Sequence, residues 1–128
     1  MKKLLLSLTV LLSLTAFANS KEDMIEMGLM NKFPALTDGK TTINVHEYDV
    51  DLDHHKIELK VELKGDASKD EYDKLDKAKL ETLAAEMAKY TQSESGKTLP
   101  VYVEIELDRD MLPDEVLYKK YFLNKLKR

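Results

Sequence analysis

The sequence predicts an α+β fold, and three stretches carry that prediction. Ile57, Leu59, Val61 and Leu63 alternate with Lys56, Glu58, Lys60, Glu62 and Lys64. Val101, Val103, Ile105 and Leu107 alternate with Tyr102, Glu104, Glu106 and Asp108. A period of two marks a strand with one dry face and one wet face. Between these strands, Leu75, Leu80, Leu83, Ala84, Met87 and Tyr90 recur at helical spacing. The expected domain is a three-stranded sheet, a hairpin plus a third strand after a crossover helix, in spatial order 2-1-3. One long helix packs on a face of it, and short helices lie at the N- and C-terminal ends.

Each element has a local reason. Ser20 followed by Glu22 and Asp23 opens a helix, because a hydroxyl and carboxylates satisfy and neutralise the free first-turn amides. Met24, Ile25, Met27, Leu29, Met30 and Phe33 supply its apolar positions, and Pro34 ends it. Thr37-Asp38-Gly39-Lys40 is a turn. Residues 42–52 read as the first strand, and a turn at His54-His55 pairs it with the second. The register then sets Leu52 opposite Ile57, Val50 opposite Leu59 and Tyr48 opposite Val61 on the dry side. On the wet side, Asp53 meets Lys56 and Asp49 meets Lys60. A four-residue loop, Asp53 to Lys56, suits this register, since His-His is poor for a two-residue primed turn. Ile43 and Val45 are out of phase with Tyr48, Val50 and Leu52. A bulge at His46-Glu47 explains the slip better than a helix covering the other face. Ser68-Lys69-Asp70-Glu71 reads as a capping box opening a helix over residues 68–92. Its packed part begins near Leu80, because Asp76 and Lys79 interrupt the stripe. After the third strand, Pro113 and the spacing of Leu117, Tyr118, Tyr121, Phe122 and Leu126 read as a final helix, basic at its end.

Composition narrows the class. The chain has 128 residues, 43% apolar and 34% charged, too apolar for disorder and too charged for a membrane protein. It has no cysteine, which excludes disulfides, thiolate metal sites and a cysteine nucleophile. Met1-Lys2-Lys3, an apolar stretch over residues 4–14 and the small-x-small Ala16-Phe17-Ala18 have the form of a cleaved secretory signal peptide. The expectation is cleavage after Ala18, a single α+β domain over residues 19–128, and a periplasmic or secreted location. Removing Lys2 and Lys3 takes the net charge from −4 to −6. An acidic exported domain is poorly suited to nucleic acid.

Four constellations could carry chemistry. Asp49, Asp51 and Asp53 point to one side of the hairpin, Asp51 faces Glu58, and His54 and His55 stand at the tip. Ca²⁺, or Zn²⁺ or Cu²⁺ with a histidine, is the chemistry such a set would serve. It is not an EF-hand, because His54 stands at the required glycine and Lys60 at the required glutamate. Met24, Met27 and Met30 recur every third residue, and thioethers suit Cu(I). The plainer reading makes the carboxylates a solvated face and the methionines a packed stripe. His46 with Glu104 or Glu106 would be the acid–base pair of an enzyme. The final helix, with lysines around aromatics, could lie on an anionic membrane surface, though docking on its own sheet accounts for the same pattern. No glycine elbow or phosphate-cradling loop is present. The expected protein is a non-enzymatic exported binding module with a protein partner in the envelope and no cofactor, whose outer strands offer edges for a partner strand. The rivals are an envelope metal binder and an inhibitor of an envelope hydrolase.

Overall fold

A computed structural model describes residues 20–122; the signal-like segment and the basic residues after Phe122 lie outside them. The elements are α1 (Lys21–Lys32), β1 (Ala35–Thr37), β2 (Thr42–Asn44), β3 (Glu47–Leu52), β4 (Ile57–Lys64), α2 (Ala67–Lys74), α3 (Lys77–Ser95), β5 (Val101–Asp108) and β6 (Glu115–Phe122). β1 and β2 form a small antiparallel ribbon, and the main sheet has the order β3-β4-β5-β6. The fold is α+β, with four strands in its main sheet rather than three. No described helix is long and apolar enough to cross a membrane.

The hairpin forms in the expected register: Leu52 opposite Ile57, Val50 opposite Leu59, Tyr48 opposite Val61 and Asp49 opposite Lys60. The loop closes with the Asp53 amide donating to the Lys56 carbonyl at 3.0 Å. At the other end the His46 amide donates to the Glu62 carbonyl at 2.8 Å, while Glu47 is the register partner of Glu62. Both residues thus meet Glu62, and the stretch expected as one strand over residues 42–52 divides there: Thr42–Asn44 belongs to the ribbon and Glu47–Leu52 to the main sheet, with Ile43, Val45, Tyr48 and Val50 all buried. Ala35–Thr37 pairs with Thr42–Asn44 across the Asp38-Gly39 turn, a short strand that the proline-led segment did not announce.

α1 begins as read, with the full capping box between Ser20 and Asp23. Ile25 and Leu29 are buried, each contributing about 1.5–3 kcal/mol. Its Glu22 and Glu26 do something the sequence did not indicate. The Val50 amide donates to Glu26 Oε2 at 2.7 Å, and the Leu52 amide to Glu22 Oε2 at 2.9 Å. Four helical residues rise about 6 Å, and two strand residues about 6.7 Å, so one helix turn matches alternate outward amides of a strand. The outer edge of β3 is thereby sealed.

That seal corrects the expected strand order. β5 runs parallel to β4, as a strand–helix–strand crossover requires, but it pairs with β4 directly and not with β3. The free side of the hairpin was β4, because α1 holds the other. The crossover helix is also divided. Leu75 is extended (ψ 141°) and buried, and Asp76 caps α3 by accepting from the Ala78 and Lys79 amides. An apolar side chain pulled inward between two charged turns bends the chain. Ser68 is not a cap; its hydroxyl donates to the Lys64 carbonyl. The expected C-terminal helix is instead β6, antiparallel to β5 with an irregularity at Ile105/Glu106. Tyr118 and Phe122 fit a helical stripe and a strand alternation equally, and the open edge of β5 decides for the strand.

The dry face is continuous from Tyr48 and Val50 through Ile57, Leu59, Val61 and Leu63 to Val101, Val103, Ile105 and Leu107. Leu80, Ala84, Met87 and Ala88 of α3 join the same core. Glu26→Ala is expected to cost about 1–2 kcal/mol in urea unfolding, because the Val50 amide loses a charged acceptor. Glu26→Gln, which keeps an acceptor, should cost less. The Glu22→Ala/Glu26→Ala double variant should self-associate through the opened edge, read by sedimentation at rising concentration.

Candidate functional site

The opposite face of the main sheet carries no packed helix among the described residues, and its register sets side chains in cross-strand rows. The first row runs Asp51, Glu58, Tyr102, Tyr121; the second Asp49, Lys60, Glu104, Lys119; the third Glu47, Glu62, Glu106, Val116. The second row alternates in sign and neutralises itself. In the first, Tyr102 and Tyr121 pack with ring centroids 4.7 Å apart, and Lys56 Nζ lies 3.0 Å from Glu58 and 5.9 Å from the Tyr102 ring centroid. The third row sets three carboxylates side by side. Its neighbour Lys60 reaches Glu106 at 3.6 Å.

This crowding shows in proton affinity. Loss of water around Glu62, and then the charges of Glu47 and Asp108, push its carboxyl above the usual value, and nearby His46 pulls the other way. Asp51 is raised by desolvation and by Glu22, Glu58, Asp53 and Asp49. Glu26 is raised by desolvation more than its bond from Val50 lowers it. Asp38, outside this face, is the contrast. It accepts from the Thr41, Asp76 and Lys40 amides and is held down at about 2, tying the β1–β2 turn to the start of α3.

The sequence candidates scatter over this frame. Asp49, Asp51 and Glu58 stand on the charged face, with Asp51 opposite Glu58. Asp53 is used by the loop, where its Oδ1 accepts from the His54 amide at 2.7 Å, and His54 and His55 are exposed at the tip. Met24 and Met27 are 63% and 58% exposed, so they do not pack as a stripe, whereas Met30 turns toward the core. Met27, Met30, His46, Glu47 and Asp23 instead line one shallow groove beside α1. His46 bonds through its amide to Glu62 and makes no hydrogen bond to Glu104 or Glu106 among the described residues. The aromatics expected on a membrane-facing helix lie on β6, with Tyr121 on the charged face and Phe122 buried.

The tightest acidic set is one the sequence reading missed. Oxygens of Glu62, Glu106 and Asp114 lie within 4.8 Å of one another, which among the described residues is the only such group of three. Glu62 and Glu106 share a row only because β5 is parallel to β4, and Asp114 arrives from the β5–β6 connection. Alternation placed both glutamates on a wet face; their adjacency needed the strand order.

No family model, curated protein or solved structure matches the chain.

A carboxyl whose pKa is higher folded than unfolded binds more protons in the folded state between the two values. Unfolding free energy then rises as pH falls through that interval. Glu26, Asp51 and Glu62 act together in this sense, so their contribution to stability should grow as the pH falls from neutral toward the ordinary carboxylate values of 4.5 and 3.8, and Glu62→Gln should flatten the gain. Asp38 acts oppositely, and its contribution is lost as pH falls from 3.8 toward about 2. Urea midpoints across this range check both signs.

Proposed function

We propose that this protein is an exported, non-enzymatic binding module that docks a cationic protein partner on the open face of its sheet. The observation that supports this reading is the imbalance of that face. Glu47, Asp49, Asp51, Glu58, Glu62, Glu104, Glu106 and Asp108 lie on it with Lys60, Lys64 and Lys119 between them on the paired strands and Lys56 beside the first row. The tyrosine pair, with Tyr121 exposed and Tyr102 half-buried, adds rigid contact area of the type that anchors interfaces. With the β3 edge sealed by α1, addition of a partner strand there is disfavoured, so the face and not that edge is the docking surface. Export rests on the signal-like N-terminus, and a basic envelope hydrolase is one partner whose charge would suit. The full chain expressed in a bacterium should appear in the periplasmic fraction with Asn19 as its first residue, read by N-terminal sequencing.

A second reading is soft-metal binding, favoured by the groove that collects Met27, Met30 and His46, two thioethers and an imidazole. The two readings separate in one comparison. The docking reading expects a basic partner, captured from envelope extract, to bind about tenfold more weakly to Glu104→Lys/Glu106→Lys, and more weakly as salt rises. Chelator should leave that binding unchanged. The metal reading expects Cu(I) to raise the melting temperature of the wild type, by mass action, and not that of Met27→Leu/Met30→Leu.

A further inference from the structure

A cavity of about 670 Å³ lies away from this face, between the end of α1 and the second half of α3. Its walls include Phe33 and Tyr90, packed edge to face with centroids 6.2 Å apart and planes at 78°. Gly28 makes this wall possible, because a Cβ there would stand 1.9 Å from the Tyr90 hydroxyl. Buried Gln92, fixed by its amide's bond to the Leu99 carbonyl at 2.8 Å, also lines the space.

Around this apolar interior stand Lys32, Lys89 and Lys97, with Glu86 as the one carboxylate in the lining. None of these lysines makes an ion pair among the described residues, although the chain is acidic. Helix C-termini account for Lys32, in the last turn of α1, and for Lys97, just after the left-handed cap Gly96. They do not account for Lys89, which sits more than a turn before the end of α3. An apolar, aromatic-walled space rimmed by unpaired cations is complementary to an apolar body carrying one negative head.

We propose that this cavity binds a small amphipathic carboxylate, a medium-length hydrocarbon or aromatic ring system with a single anionic group held by Lys32, Lys89 and Lys97. Calorimetric titration of the full chain with decanoate, 1-naphthoate, decanol and decylamine tests it. Decanoate or naphthoate should bind saturably at one site, and whichever is tighter tells an aliphatic from an aromatic source. Decylamine should bind at least about tenfold more weakly than decanoate. The Lys32→Gln/Lys89→Gln/Lys97→Gln variant should lose about tenfold in carboxylate affinity while its decanol binding is unchanged. Equal binding of decanol and decanoate would make this a neutral apolar groove and overturn the proposal. So would an absence of saturable carboxylate binding. The headgroup comparison on the wild type decides the matter even if the triple variant fails to fold.

Discussion

Two carboxylates one helical turn apart meet two amides on alternate residues of a strand, and the arrangement of the sheet depends on that match. Glu26 and Glu22 of α1 accept from Val50 and Leu52 of β3. An edge strand with open amides is a template for another strand, so closing this edge with a helix removes one of two places where β5 could add. β5 accordingly joins the hairpin at β4, and β6 extends the sheet beyond it. The closure is made with charged groups in a partly desolvated place, and Glu26 shows the cost in its raised proton affinity.

The order β3-β4-β5-β6 also composes the charged face. With β4 and β5 adjacent and parallel, Lys60 falls beside Glu104, and Glu62 falls beside Glu106. The first pairing neutralises a row, and the second concentrates negative charge in the next. Had β5 lain on β3, these carboxylates would have had other neighbours. The uneven distribution of charge on this face therefore follows from the same edge closure that orders the sheet. On the other side, α3 covers the dry surface, and its second half meets the end of α1, where the aromatic-walled cavity opens.

Parts of the candidate sites were legible because they depend only on local alternation. Asp49, Asp51, Glu58, Glu62, Glu104 and Glu106 were assigned to wet faces by parity alone, and the hairpin pairs among them followed from the loop. The grouping of Glu62, Glu106 and Asp114 was not legible, since it joins three segments whose proximity arises only on folding. The same holds for Met27 and His46, which sequence spacing assigned to separate ideas and the fold sets on one groove. The exposure of Met24 and Met27 reversed a packing expectation, because α1 turns Ile25, Leu29 and Phe33 inward and a spacing of three drifts around a helix.

The sequence by itself determined the α+β class, the hairpin and its register, the capped start of α1 and the core faces of β4 and β5. Each is a short-range consequence of side-chain period, turn chemistry or proline and glycine geometry, so neighbours in the chain suffice to specify it. Tertiary structure decided the strand order, the bend at Leu75-Asp76 and the identity of the last element. Residues 115–122 carry apolar positions that serve a helix or a strand, and only an unpaired edge on β5 resolves that ambiguity. That edge exists because α1 occupies the opposite side of the hairpin, a contact between groups more than twenty residues apart in the chain.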